Sequence, residues 1–359
     1  MRGRTQRGTW RGSYALFAQL ALGCLIISPL IGCDRPRVYQ NEFLAFGTLV
    51  EVTIYGTDRA LAKKAFAAAR RDFASMTKAW HAWRLSAVTR ANTLIAAGKP
   101  FHVGPKLAPL IRRAKTLSAR SQGLFNPAIG KLIGLWGFHS NVYAGRRPPP
   151  NAKVKALVAS APAMDDLLLK EDHLSSTNSQ VQLDFGAFAK GYGVGLVVDH
   201  LHRMGVKNLI VNAGGDLRAA GSHGDRPWRI GIRNPRGDGI IAAVEINRDE
   251  SVITSGDYER CFVFKGKRYH HILDPRTGYP ARGATSVTVI GPDPGAADAA
   301  ATALFVAGPD HWQPIARSMG VRDVLLIDSH GRAHMSPSMA KRIQFEVDPP
   351  PPIIVGDQS

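Results

Sequence analysis

Cysteine is scarce in this chain: Cys24, Cys33 and Cys261 are the three present in 359 residues. Acid is scarce as well. Asp and Glu total 28 against 46 Lys and Arg, and no acid precedes Asp34. No segment has the G-x-x-x-x-G-K-[ST] spacing, which excludes a Walker phosphate loop. There is no internal repeat. There is also no long run of Lys or Arg, and no interleaving of bases with aromatics of the kind found on RNA-binding sheets, so no nucleic-acid partner is expected. The positive excess suits phosphates or a membrane surface instead.

What is present begins with a leader over residues 1–33. Arg2, Arg4, Arg7 and Arg11 form a basic start, Tyr14 to Ile31 is largely apolar, and the stretch closes on Leu30-Ile31-Gly32-Cys33. That order describes a secretory signal. An uncleaved membrane anchor is the competing reading, and Pro29 and the modest apolar length count against it. The ending is similar to a bacterial lipobox, which implies a lipid on Cys33 and Cys33 as the mature N-terminus. Ala21-Leu22-Gly23-Cys24 is a poorer second match. Asp34 resembles the signal that keeps such lipoproteins on the inner membrane, so the expected location is its periplasmic side, through a lipid anchor. With Cys24 removed and Cys33 lipidated, Cys261 stands alone. The mature chain can then form neither a disulfide framework nor a cysteine metal site, and Cys261 reads as a small core residue. About 325 residues remain, enough for one large or two medium domains. The leader holds four arginines and no acid, so the formal charge of +18 falls to +14 without it.

Residues 34–45 read as a linker. Gly47 to Tyr55 alternates as a strand does, and Asp58 opens an alanine-rich helix to about Ser75. Further helices are expected over Pro105–Ser121, Asn151–Ala159, 186–204, Pro294–Val306 and Pro309–Met319. Strands are expected over Val181–Asp184, Asn208–Asn212, Val252–Ser255, Thr285–Ile290 and Val324–Ile327. Trp228–Ile232 with Ile240–Ile246 reads as a hairpin. Cys261–Phe264 with Arg268–Ile272 reads as another, turning at Lys265-Gly266. Consecutive strands after residue 208 argue for an α+β fold with mixed, largely antiparallel sheets and packed helices. The main domain is expected over 46–340, with an unstructured tail over 341–359.

Five segments carry candidate chemistry. In Leu183-Asp184-Phe185-Gly186-Ala187-Phe188-Ala189-Lys190-Gly191, small residues at a helix start leave N–H groups free and Lys190 adds a positive charge, as a phosphate requires. A tight turn with a surface lysine fits equally. Asp298 and Thr302 stand four apart on a helix, so both project from one face. They are hard oxygen donors suited to Mg²⁺, although an acid in a first helical turn is ordinary. His270 and His271 follow a strand and point to opposite faces, so one of them can serve a site as a base; a structural histidine is the alternative. Asn212-Ala213-Gly214-Gly215-Asp216 and Thr254-Ser255-Gly256-Asp257-Tyr258 are further polar strand ends that can converge on one cleft.

Together with His271-Ile272-Leu273-Asp274-Pro275 and Thr277-Gly278, these segments resemble, in order, the ApbE family of FAD:protein FMN transferases. Phe46-Gly47-Thr48, Met76-Thr77 and Leu135-Trp136-Gly137-Phe138 are also similar to it, and the resemblance runs from about Phe46 to Val306. It implies that FAD is cut at its pyrophosphate, that FMN is joined by a phosphoester to a Thr or Ser of a target protein, and that AMP leaves. The targets it implies are flavoprotein subunits of membrane redox complexes. By matching position it implies Mg²⁺ ligands at Asp298, Thr302 and the Ala187 carbonyl, and FAD contacts from Phe46, Asp184, Lys190 and Ile272. Leu124, Phe125 and Asn126 would line the flavin pocket and His271 would accept the acceptor's proton. Trp80 or Trp83 would stack on FAD or pack in the core. Asn126 stands where the family commonly has an acid. An Mg²⁺-dependent FAD pyrophosphatase, a non-catalytic flavin-binding lipoprotein and a basic membrane-surface adaptor are the competing readings.

Overall fold

The computed structural model describes residues 37–140 and 142–356. The expected leader and Cys33 lie outside them. In chain order the first elements are β1 (Val38–Ala45), β2 (Thr48–Tyr55), α1 (Arg59–Trp80), α2 (Ala87–Ala96), β3 (Phe101–His102), α3 (Ala108–Arg120), α4 (Gly130–Trp136) and α5 (Asn151–Ala159). Next come β4 (Leu167–Lys170), β5 (His173–Ser176), α6 (Ala189–Arg203), β6 (Asn208–Ala213), β7 (Asp216–Ala220), β8 (Trp228–Arg233), β9 (Ile240–Ile246) and β10 (Glu250–Gly256). The chain continues through β11 (Cys261–Phe264), β12 (Lys267–His270), β13 (Ala284–Gly291), α7 (Pro294–Ala307), α8 (Trp312–Met319), β14 (Asp323–Asp328) and β15 (Ala333–Met335). It closes with α9 (Pro337–Ala340), β16 (Ile343–Phe345) and β17 (Ile353–Val355).

A nine-stranded sheet, ordered β1-β2-β6-β7-β10-β13-β14-β15-β17, forms the middle layer. Its neighbours pair antiparallel except β15 and β17. The two-residue period of a strand sends alternate side chains to opposite faces. Val287 and Val289 of β13, and Val324 and Leu326 of β14, join the core under the helices. Ile290 of β13, and Leu325 and Ile327 of β14, join a second core with Trp228, Ile230 and Ile246 of β8 and β9. The result is three layers: helices, the large sheet, and the small sheet β16-β9-β8. A third, aromatic cluster of Trp136, Phe138, Phe262 and Tyr269 joins α4 to the β11–β12 hairpin. The expected α+β class with largely antiparallel sheets is the one observed.

Side-chain caps open α1, α2, α7 and α9. Asp58 accepts from Leu61 N at 2.9 Å and opens α1, whose buried Ala62, Ala65, Ala69, Phe73, Met76 and Trp80 recur at three- and four-residue spacing. Asp293 accepts from Ala296 N and Pro294 follows it at the head of α7. The alanines of α7 are buried almost all round, so a thin helix fits between α6 and the sheet.

Several boundaries differ from the sequence reading. The 34–45 segment is not a linker over 38–45: β1 pairs along its whole length with β2, because Phe43 and Ala45 bury a face in the core. Phe46-Gly47 is not strand. It is the two-residue turn of that hairpin, with both φ values positive (50° and 74°), the geometry that matches strand twist. The 341–359 tail contributes β16, paired to β9, and β17, paired to β15. Val181–Asp184 is extended but pairs only as an isolated bridge between Gln182 and Ile129. Among the described residues no helix is long and apolar enough to cross a membrane.

Asp328 closes β14 and ties it to β15. Its carboxylate accepts from the N–H groups of His330 and Arg332, from Arg332 Nε at 2.6 Å, and from His334 Nε2 at 3.0 Å. Burial alone would raise its pKa; the hydrogen bonds from His334 and Arg332 outweigh burial and hold it down at about 2. A depressed folded value adds stability above the unfolded value near 4, and that stability is lost as pH falls toward 2. Asp328→Asn is therefore expected to cost roughly 2 kcal/mol at pH 7, with the gap narrowing between pH 4 and pH 2. Urea unfolding at several pH values checks this; a gap independent of pH would assign the effect to packing.

Candidate active site

A cavity of about 370 Å³ opens between the helical core and the aromatic cluster. Distant parts of the chain meet there. The β1–β2 turn brings Phe46, and the loop before α4 brings Leu124, Phe125 and Asn126. The segment before α6 brings Asp184 and Ala187, and the first turn of α6 brings Lys190. His271 and Ile272 enter just after β12, and Asp298 and Thr302 enter from α7. The residues expected to hold the metal, contact FAD and act as the base all line this one cavity; Trp80, Trp83, Asp257, His270 and Asp274 do not.

What brings the two halves together is the crossing of α6 and α7. A Cβ on Gly191 would lie 2.3 Å from the Pro294 carbonyl oxygen and 2.7 Å from Asp298 Cβ, and one on Gly195 would lie 2.9 Å from Pro294 Cγ. Residues 191 and 195 are one turn apart and share a face, so glycine at both lets the helices touch backbone to backbone. At that contact Gly191 N donates to Asp298 Oδ2 at 2.9 Å. Gly191 is in the first turn of α6, where N–H groups have no partner within the helix, and α6 has no side-chain cap of its own. The Asp298 carboxylate of α7 thus serves the start of α6.

Asp298 is buried, and burial, reinforced by the nearby Asp216 charge, pushes its carboxyl up to about 7, against the pull of Lys190. Lys190 is ion-paired with Asp216. Burial would lower the lysine, but Asp216 and Asp298 outweigh it and hold Lys190 above its ordinary value. The other carboxylate oxygen of Asp216, Oδ1, is buried without a protein partner. Thr302 Oγ1 lies 3.4 Å from Ser255 Oγ at the end of β10. His271 Nδ1 is buried and unpartnered too. Burial first, then the charges of Arg260, His270 and Lys190, hold its imidazole well below the usual range, so it is neutral at physiological pH. His270 points elsewhere: its Nε2 meets the Ala281 carbonyl at 2.9 Å, so the two histidines divide as strand alternation requires.

Other candidates hold the loops. Asp184 accepts from Trp83 Nε1 and from Gly186 N, each at 2.8 Å. Asn126 donates to the Pro162 carbonyl and accepts from Ala128 N, so its amide is committed to the loop. Trp80 stacks on Phe46 and donates to the Lys106 carbonyl. Neither Trp80 nor Trp83 lines the cavity, and Trp80 is a core residue. Asp257 pairs with Arg236, and Asp274 with Arg276, which accounts for two acids of the polar strand ends. Tyr143, Glu259 and Arg260 also line the cavity. They lie outside the segments the sequence reading singled out, and no local pattern marks them.

The ApbE family model matches residues 46–326. A curated FAD:protein FMN transferase of Rhodobacter capsulatus is 40% identical over 357 residues, covering 98% of this chain and 67% of that one. Another, from Treponema pallidum, is 32% identical, covering 87% and 91%. The chain belongs to the ApbE family. Among solved structures, the ApbE protein of Thermotoga maritima superposes with a TM-score of 0.78 at 32% identity, over 85% of this chain and 99% of that one. The flavin transferase ApbE of Vibrio cholerae superposes at 0.75 and 25% identity, over 86% and 99%. The ApbE match thus spans the whole cavity, from the Phe46 turn to Thr302.

Two outcomes test this reading of the site. Gly191→Ala should destabilise the fold by about 1–3 kcal/mol, because the methyl group meets backbone rather than a flexible side chain; urea unfolding that matched the parent would refute the close crossing. Asp298 has a folded value near 7 against 3.8 for the ordinary group. A raised value adds stability below the unfolded pKa that is lost as pH rises through the folded one. In EDTA, Asp298→Asn should therefore gain melting temperature relative to the parent between pH 5 and pH 8. A difference flat across that range would contradict the raised carboxyl.

Proposed function

We propose that this ApbE-family chain is an FAD:protein FMN transferase. It cleaves the FAD pyrophosphate and links FMN through a phosphoester to a Thr or Ser of a target protein, releasing AMP. The observation that carries the reading is the charge balance of the cavity. Four acids line it, Asp184, Asp216, Glu259 and Asp298, against two cations, Lys190 and Arg260; Lys190 and Asp216 offset each other, and Asp298 is part-protonated near pH 7. An anionic pyrophosphate is repelled from such a site unless a further cation enters.

The donors fit Mg²⁺: the Asp298 carboxylate, the Thr302 hydroxyl and the Ala187 carbonyl are hard oxygens, and the unpartnered Asp216 Oδ1 adds negative charge beside them. When bound, the ion neutralises charge on the phosphates. The residues of the chain do the rest. Lys190 and Arg260 hold phosphate oxygens, Leu124 and Phe125 offer an apolar wall to the flavin, and Phe46 and Ile272 bound the dinucleotide. The acceptor oxygen attacks the FMN phosphorus, forming the new P–O bond as the pyrophosphate P–O bond breaks, and AMP departs with the bridging oxygen. The hydroxyl proton passes to neutral His271. The lipobox-like ending at Cys33, followed by Asp34, supports a lipid anchor on the periplasmic side of the inner membrane, where subunits of membrane redox complexes would be the acceptors.

Incubation with FAD, Mg²⁺ and such a subunit should yield one FMN adduct on a Thr or Ser by mass spectrometry, with an equivalent of AMP. FMN and AMP formed without an acceptor would make the chain a pyrophosphatase, and FAD left intact would make it a binding protein. Asp298→Ala should cut transfer roughly 100-fold or more, and His271→Ala by about 100- to 10,000-fold. A proton competes with the ion for Asp298, so half-saturation in Mg²⁺ should move to higher concentration as pH falls from 8 to 6. The rate at saturating Mg²⁺ should change little over that range, since His271 stays neutral. A half-saturation point independent of pH would count against Asp298 as a ligand.

A further inference from the structure

In the small sheet β3-β5-β4, none of whose residues lines the cavity, β3 and β5 pair antiparallel with His102 directly opposite His173. Residues opposite one another in such a pair share a face of the sheet, and the two imidazole centroids lie 3.7 Å apart. Asp172 sits in the two-residue turn that joins β4 to β5. That turn is held from two sides. Glu171 adopts a φ of 52° and its carbonyl accepts from Arg112, while the Asp172 carbonyl accepts from Val103 N at 2.7 Å. The Asp172 carboxylate is thereby set between both rings, with Oδ2 3.2 Å from His102 Nδ1 and Oδ1 3.1 Å from His173 Nδ1.

We propose that His102, Asp172 and His173 form a surface site for a divalent transition metal of the zinc class, distinct from the oxygen-lined cavity. One donor atom of each residue lies within 4.8 Å of the others, and among the described residues no other group of three His, Cys, Asp or Glu has that spacing. A tetrahedral ion with bonds of about 2.0–2.1 Å keeps its donors roughly 3.3 Å apart. The nitrogen–oxygen distances of 3.2 and 3.1 Å run to the two different oxygens of Asp172, and one donor atom from each residue lies within 4.8 Å of the others, so rotation of the exposed side chains would close the set around an ion. All three side chains are more than half exposed, which leaves an entry path and room for water as a fourth ligand. Two imidazoles with one carboxylate favour Zn²⁺ or Co²⁺ over Mg²⁺. The bound ion would bridge β3 and β5 and fix the turn between β4 and β5. Without an ion, His102 shares a hydrogen bond with the Asp172 carboxylate and His173 lies in ion-pair contact with it.

Metal-free full-length protein is titrated with Zn²⁺ against a chromophoric chelator, beside the His102→Ala/His173→Ala double variant. The difference between the two proteins isolates this site from the cavity. The parent should bind one more equivalent of Zn²⁺ at micromolar or tighter affinity, and excess Mg²⁺ should not displace it. Co²⁺ should give visible bands of a low-coordinate N/O site in the parent that the variant lacks, and Asp172→Asn should weaken binding about tenfold. Equal stoichiometry and affinity in parent and variant would overturn the site, as would binding only at millimolar Zn²⁺. Both histidines are exposed, so the variant should fold; circular dichroism in EDTA checks this. Should it not fold, imidazole NMR signals of the parent decide: His102 and His173 resonances that stay put on adding Zn²⁺ sink the proposal.

Discussion

The close crossing of α6 and α7 is the constraint on which the rest of the site depends. Glycine at positions 191 and 195 removes the side chains that would hold the helices apart. The contact lets one carboxylate, Asp298, do two things. It accepts from a backbone N–H at the start of α6 that the helix itself leaves unpaired, and it lines the cavity beside Thr302. A residue of α7 therefore fixes the position of the segment 184–190, because that segment is the approach to α6. Separation of the two helices would lose the cap, the placement of Lys190 and the spacing of Ala187 from Asp298 together. The nearly all-alanine buried surface of α7 serves the same end, since larger side chains would push α6 and the sheet away.

Much of this was legible because it is local. Asp298 and Thr302 are four residues apart on a strongly helical stretch, and Lys190 follows small residues at a helix start. His270 and His271 alternate at a strand end, and the structure sends one to the Ala281 carbonyl and the other to the cavity. What stayed hidden is what only long-range pairing creates. Nothing near Val38–Ala45 marks it as a strand until β2 lies beside it, and the apolar Phe43 and Ala45 are too few to announce a buried face. The same holds for Ile343–Phe345 and Ile353–Val355, short strands in a proline-rich stretch whose partners, β9 and β15, are distant in sequence or weakly patterned. Val181–Asp184 shows the converse: the apolar alternation is real, yet the segment is extended to feed the loop before α6 and finds only one bridging partner.

The buried cluster of Asp298, Asp216 and Lys190 explains why an acid and a lysine identified separately act as one unit. A lone buried carboxylate would be neutral, and a lone buried lysine would lose its proton. Here the lysine is shared by two acids. Asp216 takes the direct ion pair, and Asp298 keeps the weaker share and a raised carboxyl. The glycines at 214 and 215 make this possible: both have positive φ, and the backbone of Gly214 passes so near Thr48 that a Cβ would lie 2.2 Å from its hydroxyl. The tight turn between β6 and β7 thereby delivers Asp216 into the site, a role that the motif's glycines imply only once β2 is known to be the neighbouring strand.

Whole-chain charge is a poor guide to the charge of such a site. The sequence has a formal charge of +18, and from that figure alone a phosphate-bearing ligand would be met by lysines and arginines. The cavity has the opposite balance, with Asp184, Asp216, Glu259 and Asp298 outnumbering Lys190 and Arg260. Long-range attraction and local binding are separate effects. The surface excess draws anions toward the protein over distances limited by salt, whereas inside a low-dielectric cavity the lining charges are screened least and act most strongly on a bound group. Such a balance disfavours a free anion, and a cation entering with it would offset the excess. That preference comes from the side chains themselves and would act on any phosphate ester that fits the space.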